Sequence, residues 1–179
     1  MTLREKYGEW GIILGATEGV GKAFCERLAK EGMNVVMVGR REEKLKELGE
    51  ELKNTYEIDY KVVKADFSLP DATDKIFAAT ENLDMGFMAY VACLHSFGKI
   101  QDTPWEKHEA MINVNVVTFM KCFYHYMKIF AAQDRGAVIN VSSMTGISSS
   151  PWNGQYGAGK AFILKMTEAV ACETEKHQC

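Results

Sequence analysis

Five short apolar runs, each followed by a longer helical pattern, leave this chain little choice of architecture. The runs span residues 11–14, 35–38, 60–65, 86–92 and 137–141. They are rich in Val, Ile, Met and aromatics and lack polar alternation, as strands buried on both faces do. Helix candidates lie between them. One begins near Val20 and stops at Gly32, a C-cap. One covers 42–53, charged, with Leu45, Leu48 and Leu52 on one side. One follows Pro70. A long one covers 104–132, continuous or broken, and the last runs from 156 to about 175. Alternating strand and helix predicts right-handed βαβ units, hence a doubly wound α/β domain with a parallel sheet and helices on both faces. The 179 residues suffice for one domain, with no repeat or linker. Ligands of such sheets bind outside the carboxyl ends of the strands, so the chemistry is expected just after the apolar runs.

Bulk properties exclude several functions. A net charge of -3 and a pI near 5.8 provide no basic field for nucleic acid or an anionic membrane. No apolar run is long enough to span a bilayer, and the polar start, residues 1–9, does not read as a signal peptide. The cysteines (Cys25, Cys93, Cys122, Cys172 and Cys179) are odd in number and lack CxxC spacing. Reduced thiols in a cytoplasm are expected, not a disulfide framework or zinc. The four histidines, His95, His108, His125 and His177, are scattered, so no metal is expected.

After the first run comes Gly15-Ala16-Thr17-Glu18-Gly19-Val20-Gly21, opening a helix. Glycines there permit a tight turn and close approach of backbone to a pyrophosphate, and helix amides favour the anion. A glycine-rich turn alone would be a weak signal; its place between first strand and first helix favours dinucleotide binding. The second run ends at Gly39-Arg40-Arg41. An acidic residue there would hold a ribose 2′-OH, whereas two arginines suit a 2′-phosphate, so NADP(H) is expected over NAD(H). Glu18 argues the other way, and the arginines could simply begin a solvated helix. Asp66 and Phe67 close the third run, where an aspartate could equally begin a turn.

Tyr156 and Lys160 stand four apart on one helix face, and Ser143 ends the fifth run. A phenol is a poor catalyst at neutral pH unless a nearby cation favours its phenolate, which Lys160 could do. The Tyr and Lys spacing alone occurs often by chance.

In register, these motifs resemble the short-chain dehydrogenase/reductase family across essentially the whole chain, and the stretch 15–24 resembles its 17β-hydroxysteroid dehydrogenase and 3-oxoacyl-CoA reductase branch. The resemblance implies strand order 3-2-1-4-5 and hydride exchange between a nicotinamide and a secondary alcohol or ketone. Tyr156 would be the acid-base, Lys160 would tune it and hold the ribose, Ser143 would orient the carbonyl, and Asn115 would relay protons through water. Asn113 would be a surface or interface residue. Gly15, Thr17, Glu18, Gly19, Val20, Gly21, Arg40, Arg41, Asp66, Phe67 and Ala92 would contact cofactor, with Asp66 at the adenine. Two positions depart from the family pattern: Leu14 replaces a threonine, and Tyr90-Val91-Ala92-Cys93 keeps only the alanine of the usual NNAG.

On the substrate side, residues 146–155 with Trp152 should border the reacting centre, and His95 could form the opposite wall or be a plain loop histidine. A hydrophobic hydroxysteroid or bile-acid-like substrate is expected, with a 3-oxoacyl thioester or a module without turnover as alternatives. Apolar helix faces over 114–132 and 156–171 predict a homodimer or homotetramer. Family members continue past the last helix into further strands and a lid, so a C-terminally truncated chain with an open fifth strand is expected. Starting almost at the first strand, it should lack the membrane anchor of some relatives.

Overall fold

The computed structural model describes residues 1–174. Five parallel strands form one sheet in the order β3-β2-β1-β4-β5. They are β1 (Trp10–Leu14), β2 (Asn34–Gly39), β3 (Tyr60–Lys64), β4 (Met85–Tyr90) and β5 (Ala137–Asn140). Strand order reverses between β1 and β4, which pair directly, Leu14 beside Tyr90. A crevice opens at that switch point, on the carboxyl edge of the sheet.

The expectation of strands buried on both faces holds for β2 and β4, buried throughout. It fails for β3 and β5. Lys61 and Lys64 of β3 are exposed, and Ile139 of β5 is exposed. Both strands lie at sheet edges among the described residues, and at β3 the exposed lysines discourage pairing with another chain.

The helices are α1 (Leu3–Tyr7), α2 (Gly19–Lys30), α3 (Glu42–Tyr56), α4 (Ala72–Thr80), α5 (Trp105–Ile112), α6 (Phe119–Gln133) and α7 (Gly154–Thr174). Gly32, at φ +78°, closes the end of α2 as expected, with Met33 N–H bonded to the Leu28 carbonyl. α3 runs past residue 53 to Tyr56 and ends on left-handed Glu57. The long helical stretch is broken: Asn113–Thr118 is a π-helical segment between α5 and α6. Such bulges re-aim side chains and often occur at functional sites. The short α1 escaped the sequence reading, although Thr2 and Glu5 form a capping box at its start. The last residues of the expected final helix, with His177 and Cys179, lie outside the described residues.

Two apolar layers flank the sheet. One packs Ile12, Leu14, Val36 and Met88 against Phe119, Phe123 and Tyr126 of α6. The other packs Ile13, Val35 and Met37 against Cys25 and Leu28 of α2 and Leu45, Leu48 and Leu52 of α3. Tyr90 lies wholly inside and donates to the Val114 carbonyl at 2.6 Å, anchoring the π segment over β4. Among the described residues no helix is long and apolar enough to cross a membrane.

Candidate active site

The loops after β1, β2 and β4 are bonded into one floor. Gly15 and Ala16 donate backbone N–H to the Val38 carbonyl at 3.0 and 3.1 Å. Val91 and Ala92 both donate to the Leu14 carbonyl at 2.8 Å. Gly15 has φ +100°, and a Cβ there would lie 2.6 Å from Ala92 N. A Cβ on Gly21 would lie 2.0 Å from the Gly15 carbonyl oxygen, so only glycine lets α2 begin directly under the turn.

A cleft of about 480 Å³ opens above this floor. Gly15, Thr17, Glu18, Arg40, Arg41, Asp66, Phe67 and Ala92 line it, together with Cys93 and Leu94. The structure therefore gathers most of the expected cofactor residues around one space. Gly19, with φ +56°, and half-exposed Val20 open α2 beside it. A turn that excludes side chains, a helix start and two arginines fit a dinucleotide phosphate chain.

Two opposite charges in the cleft are already paired. Arg41 meets the Glu18 carboxylate at 2.9 Å, so the acidic residue that argued against a phosphate neutralises one of the two arginines. Burial raises the pKa of Asp66, but bonds from the Ser68 N–H and hydroxyl and the charge of Arg40 outweigh it and hold the carboxyl below its ordinary value. Phe67 is buried, edge-on to Tyr90, and Thr118 donates to its carbonyl at 2.8 Å. Asn113, expected at a surface or interface, is half-buried and donates to the Ser68 carbonyl at 3.2 Å. It ties the π segment to the loop that carries Asp66.

Ser143, Tyr156 and Lys160 come together at the end of β5. Ser143 Oγ accepts from the Thr145 N–H at 3.2 Å and from its hydroxyl at 3.0 Å. With its acceptor sites taken, its own proton is left to donate, and a bond from Ser143 favours the Tyr156 phenolate. The turn that carries Ser143 is wedged against α7: a Cβ on Gly157 would lie 2.7 Å from the Thr145 carbonyl, and Ser142 donates to the Lys160 carbonyl at 2.8 Å. Lys160 is almost wholly buried, and its ammonium donates to the Val141 carbonyl at 2.6 Å. Burial lowers its pKa.

The expectation that Lys160 depresses the Tyr156 pKa is not met. Burial first, then the Cys93 thiol, push the phenol up, and Lys160 is not among the causes. Its charge is spent on Val141. Cys93, at the glycine position of the family's NNAG, is in sequence only one of several scattered thiols, yet it acts on both Tyr156 and Lys160. Its place directly after β4 was the available signal.

Asn115 is buried in the π segment and holds Leu94 by both backbone groups. Its Oδ1 accepts from Leu94 N at 3.1 Å, and its Nδ2 donates to the Leu94 carbonyl at 2.7 Å. A Cβ on Gly159 would lie 2.9 Å from Asn115 Cβ, so Asn115 also seats α7. His95 stands edge-on to the Tyr156 ring, with ring centres 5.8 Å apart. Trp152 is exposed with a left-handed backbone, φ +59°, and its carbonyl accepts from Gly98 N at 2.9 Å. A bulky residue in that conformation is strained.

The short chain dehydrogenase family model matches residues 9–179. The chain belongs to the short chain dehydrogenase family. A 7beta-hydroxysteroid dehydrogenase of Collinsella aerofaciens is 83% identical over 175 residues, 98% of this chain and 66% of that relative. One of Clostridium sardiniense is 46% identical over 173 residues, 97% of this chain and 66% of the relative. The chain thus spans 66% of the length of both curated relatives. A solved structure bearing on 7beta-hydroxysteroid dehydrogenase stereoselectivity superposes with a TM-score of 0.97 at 82% identity, covering 98% of this chain and 68% of the other. The wider branch is represented by a very-long-chain 3-oxoacyl-CoA reductase of Rattus norvegicus, 31% identical over 88% of this chain and 52% of the relative. The branch resemblance seen in the glycine loop is thereby borne out.

Proposed function

We propose that the chain transfers hydride reversibly between NADP(H) and a hydrophobic secondary alcohol or ketone of hydroxysteroid or bile-acid type. The observation that carries this reading is the grouping of Ser143, Tyr156 and Lys160, the Lys160 ammonium 5.8 Å from the centre of the Tyr156 ring, beside a glycine-floored cleft. Identity of 83% to a 7beta-hydroxysteroid dehydrogenase, against 31% to a 3-oxoacyl-CoA reductase, favours the steroid over the thioester.

When bound, the nicotinamide gives or accepts the hydride. The protein does the rest. Tyr156 gives its phenolic proton to the carbonyl oxygen in reduction and takes the alcohol proton in oxidation. Ser143, whose oxygen already accepts twice, donates to the same carbonyl oxygen and orients it. Lys160 holds the ribose and favours the phenolate once its ammonium turns from Val141. Asn115 fixes the Leu94 wall and lies on the proton path to water. Arg40 and Arg41 take the 2′-phosphate as bidentate, charge-assisted donors. Asp66 and Phe67 border the adenine, and His95 and Trp152 wall the substrate.

We further infer a cytoplasmic homodimer or homotetramer joined through α6 and α7. Tyr124 is exposed on α6, Met120, Met127 and Ile129 are only partly buried there, and Phe162, Met166 and Val170 are partly buried on α7. One sheet cannot cover every apolar face of both helices.

The test is NADPH oxidation against a panel of ketosteroids, keto bile acids and 3-oxoacyl thioesters. Fastest turnover of a steroid ketone is expected. Turnover of thioesters alone would overturn the substrate assignment.

A further inference from the structure

A second, larger cavity, about 880 Å³, lies between α5, the start of α7 and the loop from Ser96 to Thr103. Its lining adjoins the reacting centre along the chain: Ser96 follows His95, and Gln155 precedes Tyr156. Its size is that of a small-molecule site, on the order of 300–1,000 Å³. Its surface is largely apolar, built from Trp105, Trp152, Ile100, Met111 and Ile112. The walls are braced. Gln155 Nε2 donates to the His108 carbonyl at 2.7 Å, its Oε1 bonds His108 Nδ1, and His108 Nε2 lies 3.1 Å from the Ile100 carbonyl.

One polar side chain in this lining is unsatisfied. Asn153 is only 6% exposed, and its Oδ1 has neither a hydrogen-bond partner nor contact with solvent. It directly precedes α7, where an asparagine ordinarily uses that oxygen on the N–H groups of the first turn. Its backbone does cap the helix, the carbonyl accepting from Gly157 N at 3.0 Å. Its side chain does not. A buried amide oxygen without a partner is destabilising, so a role for it is to be sought in a ligand. The preceding residue, Trp152, carries the left-handed backbone, and strain of this kind concentrates at ligand clamps. With Oδ1 unbonded, the amide can turn about its broad terminal torsion, so that either end meets a hydroxyl, which both donates and accepts.

We propose that this cavity receives the end of the substrate remote from the reacting carbon, and that Asn153 bonds a hydroxyl carried there. The proposal rests on Tyr156 as the reacting centre, and it makes Asn153 a specificity-determining residue. Ligands are chosen by a hydroxyl that takes no part in the chemistry.

Equilibrium binding separates this from the catalytic reading. The probes are a 7-ketosteroid with a hydroxyl on its terminal ring and the same ketone without it. Dissociation constants come from calorimetry and from tryptophan fluorescence, with Trp105→Phe and Trp152→Phe identifying the source of the signal. The hydroxylated ketone should bind wild type roughly tenfold tighter, as one good hydrogen bond allows. Asn153→Leu should bring the two constants together by weakening only the hydroxylated ligand. Asn153→Asp, which still accepts from a hydroxyl, should keep the preference. With NADPH, Asn153→Leu should raise KM for the hydroxylated ketone and leave kcat unchanged. Equal binding of both ketones by wild type overturns the proposal without any variant. So does a preference that survives Asn153→Leu, or a signal unaffected by either tryptophan replacement. Selective binding without turnover would instead count against the catalytic reading and leave the cavity assignment standing.

Discussion

The Lys160 ammonium lies 5.8 Å from the centre of the Tyr156 ring, yet its 2.6 Å hydrogen bond goes to the Val141 carbonyl. The cation that should activate the phenol is near it without being committed to it. Burial therefore prevails, and Tyr156 is expected to titrate above the ordinary phenol value of about 10 in the cofactor-free protein. Adding NADP⁺ brings a second positive charge and should move the titration down. Oxidation needs phenolate and should speed up as pH rises; reduction needs phenol and should slow. The phenolate absorbance of wild type minus that of Tyr156→Phe measures the shift. A phenol titrating below 10 without cofactor would contradict this picture.

The Arg41–Glu18 ion pair should influence cofactor choice by competing with a 2′-phosphate for Arg41. Both side chains are well exposed, so their bond is worth only about 0.2–1 kcal/mol. Glu18→Gln should release Arg41 and tighten NADP(H) binding by up to about fivefold, with NAD(H) little changed. Arg40→Ala should weaken NADP(H) selectively, roughly tenfold or more, from the loss of a charge-assisted bond of ~1.5–3 kcal/mol. Fluorescence titration with both cofactors checks each variant. Equal weakening of the two by Arg40→Ala would remove Arg40 from phosphate recognition.

Alkaline stability should follow the buried thiols and phenols. Burial raises Cys122 from 9.0 to about 12, and Cys25, Tyr90 and Tyr126 are raised in the same sense. An acid whose folded pKa is raised loses its proton more readily in the unfolded chain. Its contribution to stability is therefore complete below the unfolded value and declines as pH rises towards the folded one. For Cys122 that window is pH 9 to 12. Urea unfolding at several pH values should show stability falling across it, less steeply in Cys122→Val. A pH-independent midpoint would contradict the assignment.

Much of this could be read from the sequence, because it depends on residues close together in the chain. The β1 strand, the glycine turn and the start of α2 form one local unit, and the Tyr156–Lys160 spacing needs only a helix. The capping box of α1 was equally local, and was passed over because five residues make a weak helical signal. What stayed hidden depends on pairings between distant segments. That Lys160 would bond Val141, that Cys93 would reach Tyr156, and that Asn115 would hold Leu94 all require the sheet to be assembled first. The exposed lysines of β3 were visible, yet their meaning came only with the strand order, which puts β3 at an edge. The left-handed Trp152 had no signature, since a bulky side chain argues against that conformation.

The most direct test is the rate of NADPH oxidation with a 7-ketosteroid, compared between wild type and Tyr156→Phe. The substitution removes one hydroxyl and keeps the ring against His95. Turnover should fall by at least ~10²-fold, as loss of the general acid requires, while NADPH affinity stays near wild type. A near-normal rate in Tyr156→Phe would show that the proton comes from elsewhere and would contradict the catalytic assignment.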